Sequence, residues 1–279
     1  ERLPVVYLLH GFGNNQRAWL QITDLRSLSE RYRMIFVCPD GEKSWYWDSP
    51  LHAESQFETF ISGELPAWID ARYPTIAARE GRAITGLSMG GHGALWNAVR
   101  HPDVFGAAGS TSGGVDIRPF PDSWEMKEQL GELKDNPARW DAHTVINAVD
   151  SLHDGDLAII FDCGYDDFFY EVNVALHEKL LRMKVGHDFL VRPGAHTWEY
   201  WAGSLPYQLL FFERYFERAA YRYCHRFFLS HGTSYIYSSQ CFGTCHRHDS
   251  AKGYGESGYY NGNHRTDIRI FHVDRVGIK

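Results

Sequence analysis

The sequence predicts an α/β fold in which helices cover both faces of a mostly parallel central sheet. Short apolar runs alternate with longer stretches of helical periodicity from the first residue to about 217. Nearly continuous apolar runs are typical of strands buried on both faces, and their alternation with helices is typical of a parallel sheet. The predicted strands are 5–10, 34–38, 82–87, 105–110, 157–163 and 187–191.

The stretches between these strands predict the covering helices. Their apolar residues recur at helical spacing, and several of them stop at Gly or Pro. The predicted helices are 55–74, 89–102, 170–186 and 198–216. We therefore expect one domain over residues 1–218.

The composition excludes several classes of protein. The chain has 279 residues, of which 44% are hydrophobic, enough for one sizeable core or at most two domains. The formal charge of −7 offers no broad basic surface, so we expect no nucleic-acid partner. No apolar run reaches the roughly 18 residues of a membrane-spanning helix, so we expect no membrane partner either. The first residues show no basic and apolar leader, which leaves localisation open between the cytoplasm and an exported form.

Residues 219–279 differ in character from the rest of the chain. They have no sustained period and are rich in His, Tyr, Ser and Gly, so we expect an irregular or disordered extension that does not continue the sheet. The segment 241–248, Cys-Phe-Gly-Thr-Cys-His-Arg-His, contains soft ligands that suit zinc. Its spacing matches no standard zinc module, however, and we predict neither a metal nor another cofactor.

The motif that carries chemistry is Gly-Leu-Ser-Met-Gly at 86–90. A predicted strand enters it and a predicted helix of small residues leaves it, as a nucleophile elbow requires. Glycines flanking the turn let the strand and helix approach closely. We therefore predict that Ser88 is a nucleophile and not a spectator in a glycine-rich loop.

A serine nucleophile requires an acid and a histidine base, which follow it in the order Ser, Asp, His in α/β-hydrolases. Asp166 and Asp167 follow the strand 157–163 at the carboxyl edge of the sheet, where sites of such sheets assemble. His196 lies in a loop before the last predicted helix. It is the predicted base, whereas His10, His92 and the other histidines on strands or helices are assigned structural roles.

An oxyanion hole needs two backbone N–H donors. Met89 follows the nucleophile at the start of a helix, whose dipole favours negative charge, and provides one of them. The loop after the first strand, Gly-Phe-Gly-Asn-Asn, provides the other, which we assign to Phe12. The alternative for this loop is an ordinary strand-to-helix connection.

Together, the motifs YLLHGFGNN, SWYWDSP, GLSMGG, DCGYDDFFY and GAHTWEYW resemble an esterase family of α/β-hydrolases. That family includes esterase D, tributyrin-type acetylesterases, the feruloyl and acetylxylan esterases of carbohydrate esterase family one, and the mycolyltransferases. The resemblance covers residues 1 to about 217 and implies the α/β-hydrolase fold. It implies Ser88 as nucleophile, His196 as base, and Asp167, not Asp166, as acid. Family members usually carry two further strands before the first strand here, so we expect either that this sequence is a fragment or that one edge of the sheet differs.

The resemblance also bears on the substrate. SWYWDSP resembles the acetylesterase and feruloyl esterase branch, so Trp45, Tyr46 and Trp47 are predicted to wall the site for an acyl or aryl group, with packing as the alternative. Trp198 is a further candidate for substrate contact, or it holds the histidine loop. Segments 44–50 and 118–142 decide the depth of the pocket.

The predicted function is a serine carboxylesterase that needs no cofactor and acts on a small-molecule or oligosaccharide ester. Feruloyl or acetyl groups on plant polysaccharides are the favoured substrates. The alternatives are an S-formylglutathione hydrolase, an acyltransferase of the same family, and a non-catalytic carbohydrate-binding protein on a hydrolase scaffold.

Overall fold

The strands in the described part of the chain form one eight-stranded sheet. The structure is a computed structural model, and it describes residues 1–231, 253–255 and 268–274. The strands are β1 (Val5–Leu9), β2 (Ile35–Pro39), β3 (Arg82–Gly86), β4 (Ala107–Thr111), β5 (Ala158–Gly164), β6 (His187–Arg192), β7 (Gly253–Gly255) and β8 (Ile268–Asp274).

The strand order is β6-β5-β4-β3-β1-β2-β8-β7. Strands β1 to β6 run parallel to one another, and β8 and β7 are added in antiparallel orientation at the β2 edge. Each of the predicted strands is present, with ends shifted by up to two residues. The carboxyl ends of the parallel strands therefore share one edge, where catalytic loops can meet.

Helices cover both faces of this sheet. They are α1 (Ala18–Ile22), α2 (Leu25–Tyr32), α3 (Phe57–Thr59), α4 (Leu65–Arg72), α5 (Met89–Arg100), α6 (Met126–Leu130), α7 (Pro137–Ala142), α8 (Val145–Ala148), α9 (Tyr170–Met183) and α10 (Trp198–His231). A π-helical turn, Phe60–Glu64, joins α3 to α4, and the 3₁₀ turns are Arg79–Gly81 and Val149–Ser151.

Two apolar cores lie on opposite faces of the sheet. In β1, Val5 and Tyr7 face a core that contains residues of α4, α5 and α9. Val6 and Leu8 face the other core, which α1, α2 and α10 complete. Successive strand residues point to opposite faces, so a strand covered on both sides is apolar at every position. This explains the continuous apolar runs in the sequence.

The expectation for the C-terminal region is wrong in two respects. Helix α10 continues through the predicted boundary at 218 without a break. Strand β8 pairs with β2, with Phe36 opposite Phe271 and Pro39 opposite Ile268, and Ile270 is fully buried. The region after 218 therefore continues the sheet at 268–274. The pairing was not predictable because β2 lies near the other end of the chain, and no local pattern indicates so distant a partner.

Strand β8 also covers the hydrogen-bonding edge of β2. An uncovered edge would present unpaired N–H and C=O groups.

The Cys/His segment 241–248 lies outside the described residues, and among the described residues no group of three or more His, Cys, Asp or Glu side chains could hold a metal ion. No helix in the described part of the chain is both long and apolar enough to cross a membrane.

Candidate active site

Ser88 lies on a strained turn between β3 and α5. The backbone angles φ and ψ of Ser88 are 56° and −117°, and residues other than glycine rarely adopt such a positive φ. A Cβ atom on Gly86 would clash with the backbone of Gly90, and one on Gly90 would clash with the backbone of Leu9. Both glycines are therefore required for the strand and the helix to cross this closely, as a nucleophile elbow demands.

The backbone of Ser88 is fixed at both ends. Its N–H donates to the carbonyl oxygen of Thr111 at the end of β4, over 3.0 Å. Its carbonyl oxygen accepts from the N–H of His92 over 3.0 Å and so begins the hydrogen-bond ladder of α5. These bonds hold the strained turn in place.

The side chains of Ser88, His196 and Asp167 form an unbroken chain of hydrogen bonds. His196 Nε2 lies 2.9 Å from Ser88 Oγ, and His196 Nδ1 lies 2.8 Å from Asp167 Oδ2. The carboxylate can only accept, so the proton of a neutral imidazole belongs on Nδ1. Nε2 then has a free lone pair, which can accept the proton of the Ser88 hydroxyl.

Asp167 and Asp166 have different surroundings. The Asp167 side chain is completely buried, and its second oxygen accepts from the N–H of Phe169 over 2.9 Å. Asp166 is exposed, and its own N–H donates to the carbonyl oxygen of Gly194 over 3.0 Å. Of this pair, only Asp167 contacts the imidazole in the structure.

The loops that carry Asp167 and His196 are bound to each other by their backbones. The N–H of Tyr165 donates to the Arg192 carbonyl oxygen over 3.2 Å, beside the bond from Asp166 to Gly194. A Cβ on Gly164 would clash with the carbonyl of Gly194. This close approach sets the distance between the acid and the histidine.

The loop after β1 lies directly against the elbow. A Cβ on Gly11 would lie 2.7 Å from Leu87 Cδ1 and 3.3 Å from the Cβ of Ser88. Within the described part of the chain, the N–H groups of Phe12 and Met89 donate no hydrogen bond. One backbone donor in the elbow and one in the adjoining loop are therefore left without an acceptor among the described residues.

His10 connects the loop after β1 to the loop after β2. It is buried, its Nδ1 lies 2.8 Å from the carbonyl oxygen of Gly11, and its Nε2 accepts from the N–H of Gly41 over 2.8 Å. The hydroxyl of Tyr46 donates to the His10 carbonyl oxygen over 3.1 Å. The structural role predicted for His10 is consistent with these contacts.

The interpretation of Trp45, Tyr46 and Trp47 as a wall of the site needs correction. All three side chains are fully buried in the core on the α5 face of the sheet. Trp45 and Trp47 stack with their centroids 5.6 Å apart, and Trp47 Nε1 donates to His92 Nε2 over 2.8 Å. Large rings that bury their whole surface in the core cannot also contact a substrate, so packing, the alternative stated above, describes them.

Trp198 lies at the start of α10 and is 41% exposed. Its ring meets Trp201 edge to face at 5.1 Å, and Trp201 in turn meets the ring of His196 edge to face at 4.9 Å. Trp198 therefore supports the histidine loop through Trp201. Its contact with a substrate remains a prediction.

A group of aromatic side chains that the sequence did not identify lies beside the histidine. The Phe168 ring is 4.3 Å from that of His196, and its side chain is 49% exposed. Trp124 stacks on Phe168 at 5.4 Å with an interplanar angle of 25°, and Phe120 packs against Trp124 at 5.6 Å. Phe168 follows the acid directly in sequence, a signal that could have been used, whereas Trp124 lies in a segment without any periodicity.

Comparison with known proteins identifies the family. The family model described as "Putative esterase" matches residues 1–212. The chain belongs to this esterase family.

Relatives of this esterase-family chain include enzymes with different named substrates. The acetyl esterase of Caldicellulosiruptor saccharolyticus is 27% identical over 213 residues, which are 72% of this chain and 80% of that protein. The S-formylglutathione hydrolase of Mus musculus is 26% identical over 190 residues, 60% of this chain and 66% of that protein. The solved structure of a ferulic acid esterase superposes with a TM-score of 0.67 at 29% identity, covering 77% of this chain and 86% of that one. The family assignment makes this chain a carboxylic ester hydrolase with the α/β-hydrolase fold.

Proposed function

We propose that the protein is a serine carboxylesterase that works through an acyl-enzyme, with Ser88 as nucleophile, His196 as general base and Asp167 as the orienting acid. The observation that carries this proposal is the unbroken hydrogen-bond chain from Asp167 through His196 to Ser88, with the serine on a strained elbow. A serine hydroxyl is a weak nucleophile until an adjacent base accepts its proton. The distance of 2.9 Å between His196 Nε2 and Ser88 Oγ supports this role for His196.

The reaction proceeds in two halves. Ser88 Oγ attacks the ester carbonyl while His196 Nε2 takes the hydroxyl proton, and the carbonyl oxygen becomes an oxyanion that the N–H groups of Phe12 and Met89 stabilise. The intermediate collapses, and His196 returns the proton to the departing alcohol. Water then attacks the acyl-enzyme with His196 again as base, which releases the acid and restores Ser88. Asp167 stabilises the imidazolium that forms in each half.

For the substrate, we propose an ester whose acyl group is planar and aromatic, of the feruloyl type, on an oligosaccharide. The support comes from the exposed ring of Phe168 beside His196 and from its parallel stack with Trp124. An aromatic ring next to the reacting carbonyl gives an aryl group a face to pack on, whereas an acetyl group gains little from it. The relative named as a ferulic acid esterase is consistent with this choice.

The deciding experiment uses a fluorescent alkyl phosphonate, methyl ferulate and p-nitrophenyl acetate. We expect one phosphonate per chain on Ser88, hydrolysis of both esters by the wild-type enzyme, and neither labelling nor hydrolysis with Ser88→Ala, whose fold is checked by its melting temperature. An active and labelled Ser88→Ala protein would overturn the assignment. Oligosaccharide binding by wild-type protein that is neither labelled nor active would favour the carbohydrate-binding alternative.

A second candidate is the thioester S-formylglutathione, which the mouse relative named S-formylglutathione hydrolase suggests. The same acyl-enzyme chemistry would apply, with a thiolate leaving group. Acyl transfer is tested in the same assay by adding an alcohol or sugar acceptor and analysing the products. A higher kcat/KM for S-formylglutathione than for methyl ferulate would replace the feruloyl proposal while leaving the triad intact.

A further inference from the structure

Asp162 is a buried carboxylate that takes no part in the steps above. It lies in β5 and is 2% exposed. Its Oδ1 accepts from the hydroxyls of Thr111 over 2.7 Å and Ser204 over 2.6 Å, and its Oδ2 accepts from Gln208 Nε2 over 2.8 Å. Arg192 Nη2 lies 3.7 Å from Oδ1. Every one of these partners is a donor, which matches an ionised carboxylate.

One side of this cluster leads to the nucleophile. Thr111, whose hydroxyl donates to Asp162, accepts the Ser88 N–H at its carbonyl oxygen. The next residue, Ser112, donates its N–H to the carbonyl oxygen of Asp162 over 2.8 Å. Asp162 therefore binds the end of β4, on which the backbone of the elbow rests.

The other side leads to the histidine, whose loop occupies residues 193–197. Arg192, the last residue of β6, precedes this loop, and its guanidinium donates to the hydroxyl of Ser204 in α10. Ser204 lies about one turn beyond Trp201, the residue whose ring packs on His196. Both ends of the histidine loop are thus connected to the Asp162 carboxylate.

A buried carboxylate is by itself weak evidence for a stabilising role. Burial raises the pKa of Asp162 above the usual value of an aspartate, and the hydrogen bonds from Ser204, Thr111 and Gln208 offset only part of this rise. Apolar side chains surround the cluster on the α10 face, and replacing a buried ionic group by a well-packed apolar one is often neutral or stabilising. The charge is better explained if its hydrogen bonds hold the end of β4, the histidine loop and α10 in one arrangement.

We propose that Asp162 is a positioning residue that fixes the distance between Ser88 and His196. It binds Thr111, which holds the backbone of Ser88, and it binds Ser204, which connects to both ends of the histidine loop. Asp167 lies in the loop that follows β5, the strand that contains Asp162, so all three triad residues are held relative to that strand. The inference rests on the proposed triad. Misplacement of catalytic groups by about 1 Å can cost on the order of 100-fold in rate, which sets the scale of the expected effect.

The test is Asp162→Asn, which keeps the shape but turns an NH₂ donor toward groups that all donate. We expect kcat for p-nitrophenyl acetate, and the rate of phosphonate labelling of Ser88, to fall about 10-fold to 100-fold with little change in KM. The matched control is Leu209→Ala, which removes a fully buried side chain of α10 outside the cluster. That control should lower the melting temperature at least as much while keeping kcat close to wild type at temperatures well below its transition.

A purely structural role would give Asp162→Asn a normal kcat with a lowered melting temperature, and that result would overturn the inference. If Asp162→Asn does not fold, Ser204→Ala replaces it, because this change removes the hydroxyl that joins the carboxylate to the start of α10 and to Arg192, while the bond from Gln208 remains. We then expect a reduced kcat at unchanged KM, and a wild-type kcat would equally overturn the inference. Failure of the triad itself is recognised separately, since Ser88→Ala would then remain active.

Discussion

Trp47 Nε1 donates to His92 Nε2 over 2.8 Å, and both side chains are fully buried. The opposite nitrogen of His92, Nδ1, lies 2.9 Å from the carbonyl oxygen of Gly114. The imidazole is therefore neutral, with its proton on Nδ1. This pair joins the segment that the sequence suggested as a substrate wall to α5, the helix that begins directly after Ser88.

Trp47→Phe should consequently affect stability and not substrate binding. The change leaves His92 Nε2 buried without a donor, which costs about 1–3 kcal/mol. We expect that loss in urea unfolding, with kcat and KM for methyl ferulate close to wild type. A large rise in KM with unchanged stability would restore the original interpretation of the segment.

The neutral state of His92 predicts a pH dependence of stability. Burial lowers the pKa of His92 to about 4, from 6.5. The unfolded chain therefore binds the additional proton between pH 6.5 and 4, so the stability contributed by neutral His92 is complete above pH 6.5 and is lost as the pH falls toward 4. His92→Gln retains a donor and an acceptor but does not titrate. We expect its unfolding free energy to fall less steeply over this window, by up to about 1.4 kcal/mol per pH unit; identical slopes would refute the prediction.

The two adjacent aspartates should differ sharply in their effect on activity. Asp167→Asn should lower kcat by about 10⁴-fold, as in serine protease triads, because the imidazole loses its orienting acceptor. Asp166→Asn, the matched control, removes only an exposed carboxylate and should remain close to wild type. Single-turnover hydrolysis of p-nitrophenyl acetate by both variants measures this, and equal losses would reject the choice of acid.

Phe168→Ala tests the aromatic acyl group. Removing the exposed ring should lower kcat/KM for methyl ferulate about tenfold or more, because the aryl group loses its packing surface. The value for p-nitrophenyl acetate, whose acyl group is small, should change much less. Tyr165→Ala provides the control, since that side chain is equally exposed on the same loop but is not stacked on Trp124. A parallel loss for both esters would assign Phe168 to support of His196 alone.

Ile270→Ala tests the pairing of β8 with β2. Ile270 is fully buried in the core, so the change should cost about 2–5 kcal/mol of unfolding free energy. Leu181→Ala, at a side chain of α9 that is 58% exposed, should cost less than about 0.5 kcal/mol. Equal and small losses in urea unfolding would show that β8 contributes little to the folded protein.

The features that depend on local spacing could be predicted from the amino-acid sequence. Continuous apolar runs predicted strands β1 to β6. The elbow at Ser88 was predicted from its flanking glycines, Gly86 and Gly90, because only a residue without a Cβ fits at those two positions. The positions of Asp167 and His196 followed from chain order and from the resemblance of their motifs. The tertiary structure decided which of these side chains meet, and it brings Asp167, His196 and Ser88 into one hydrogen-bonded chain.

Contacts between distant segments could not be read in this way. Four features of the structure join residues that are far apart in the chain. They are the burial of Trp45 to Trp47, the stack of Trp124 on Phe168, the hydrogen bonds to the Asp162 carboxylate, and the pairing of β8 with β2. An exposed tryptophan and a buried one are the same letter in a sequence, and a strand reveals its partner only when the whole sheet is assembled. Local periodicity reports which face of an element is apolar, and packing alone decides what covers that face.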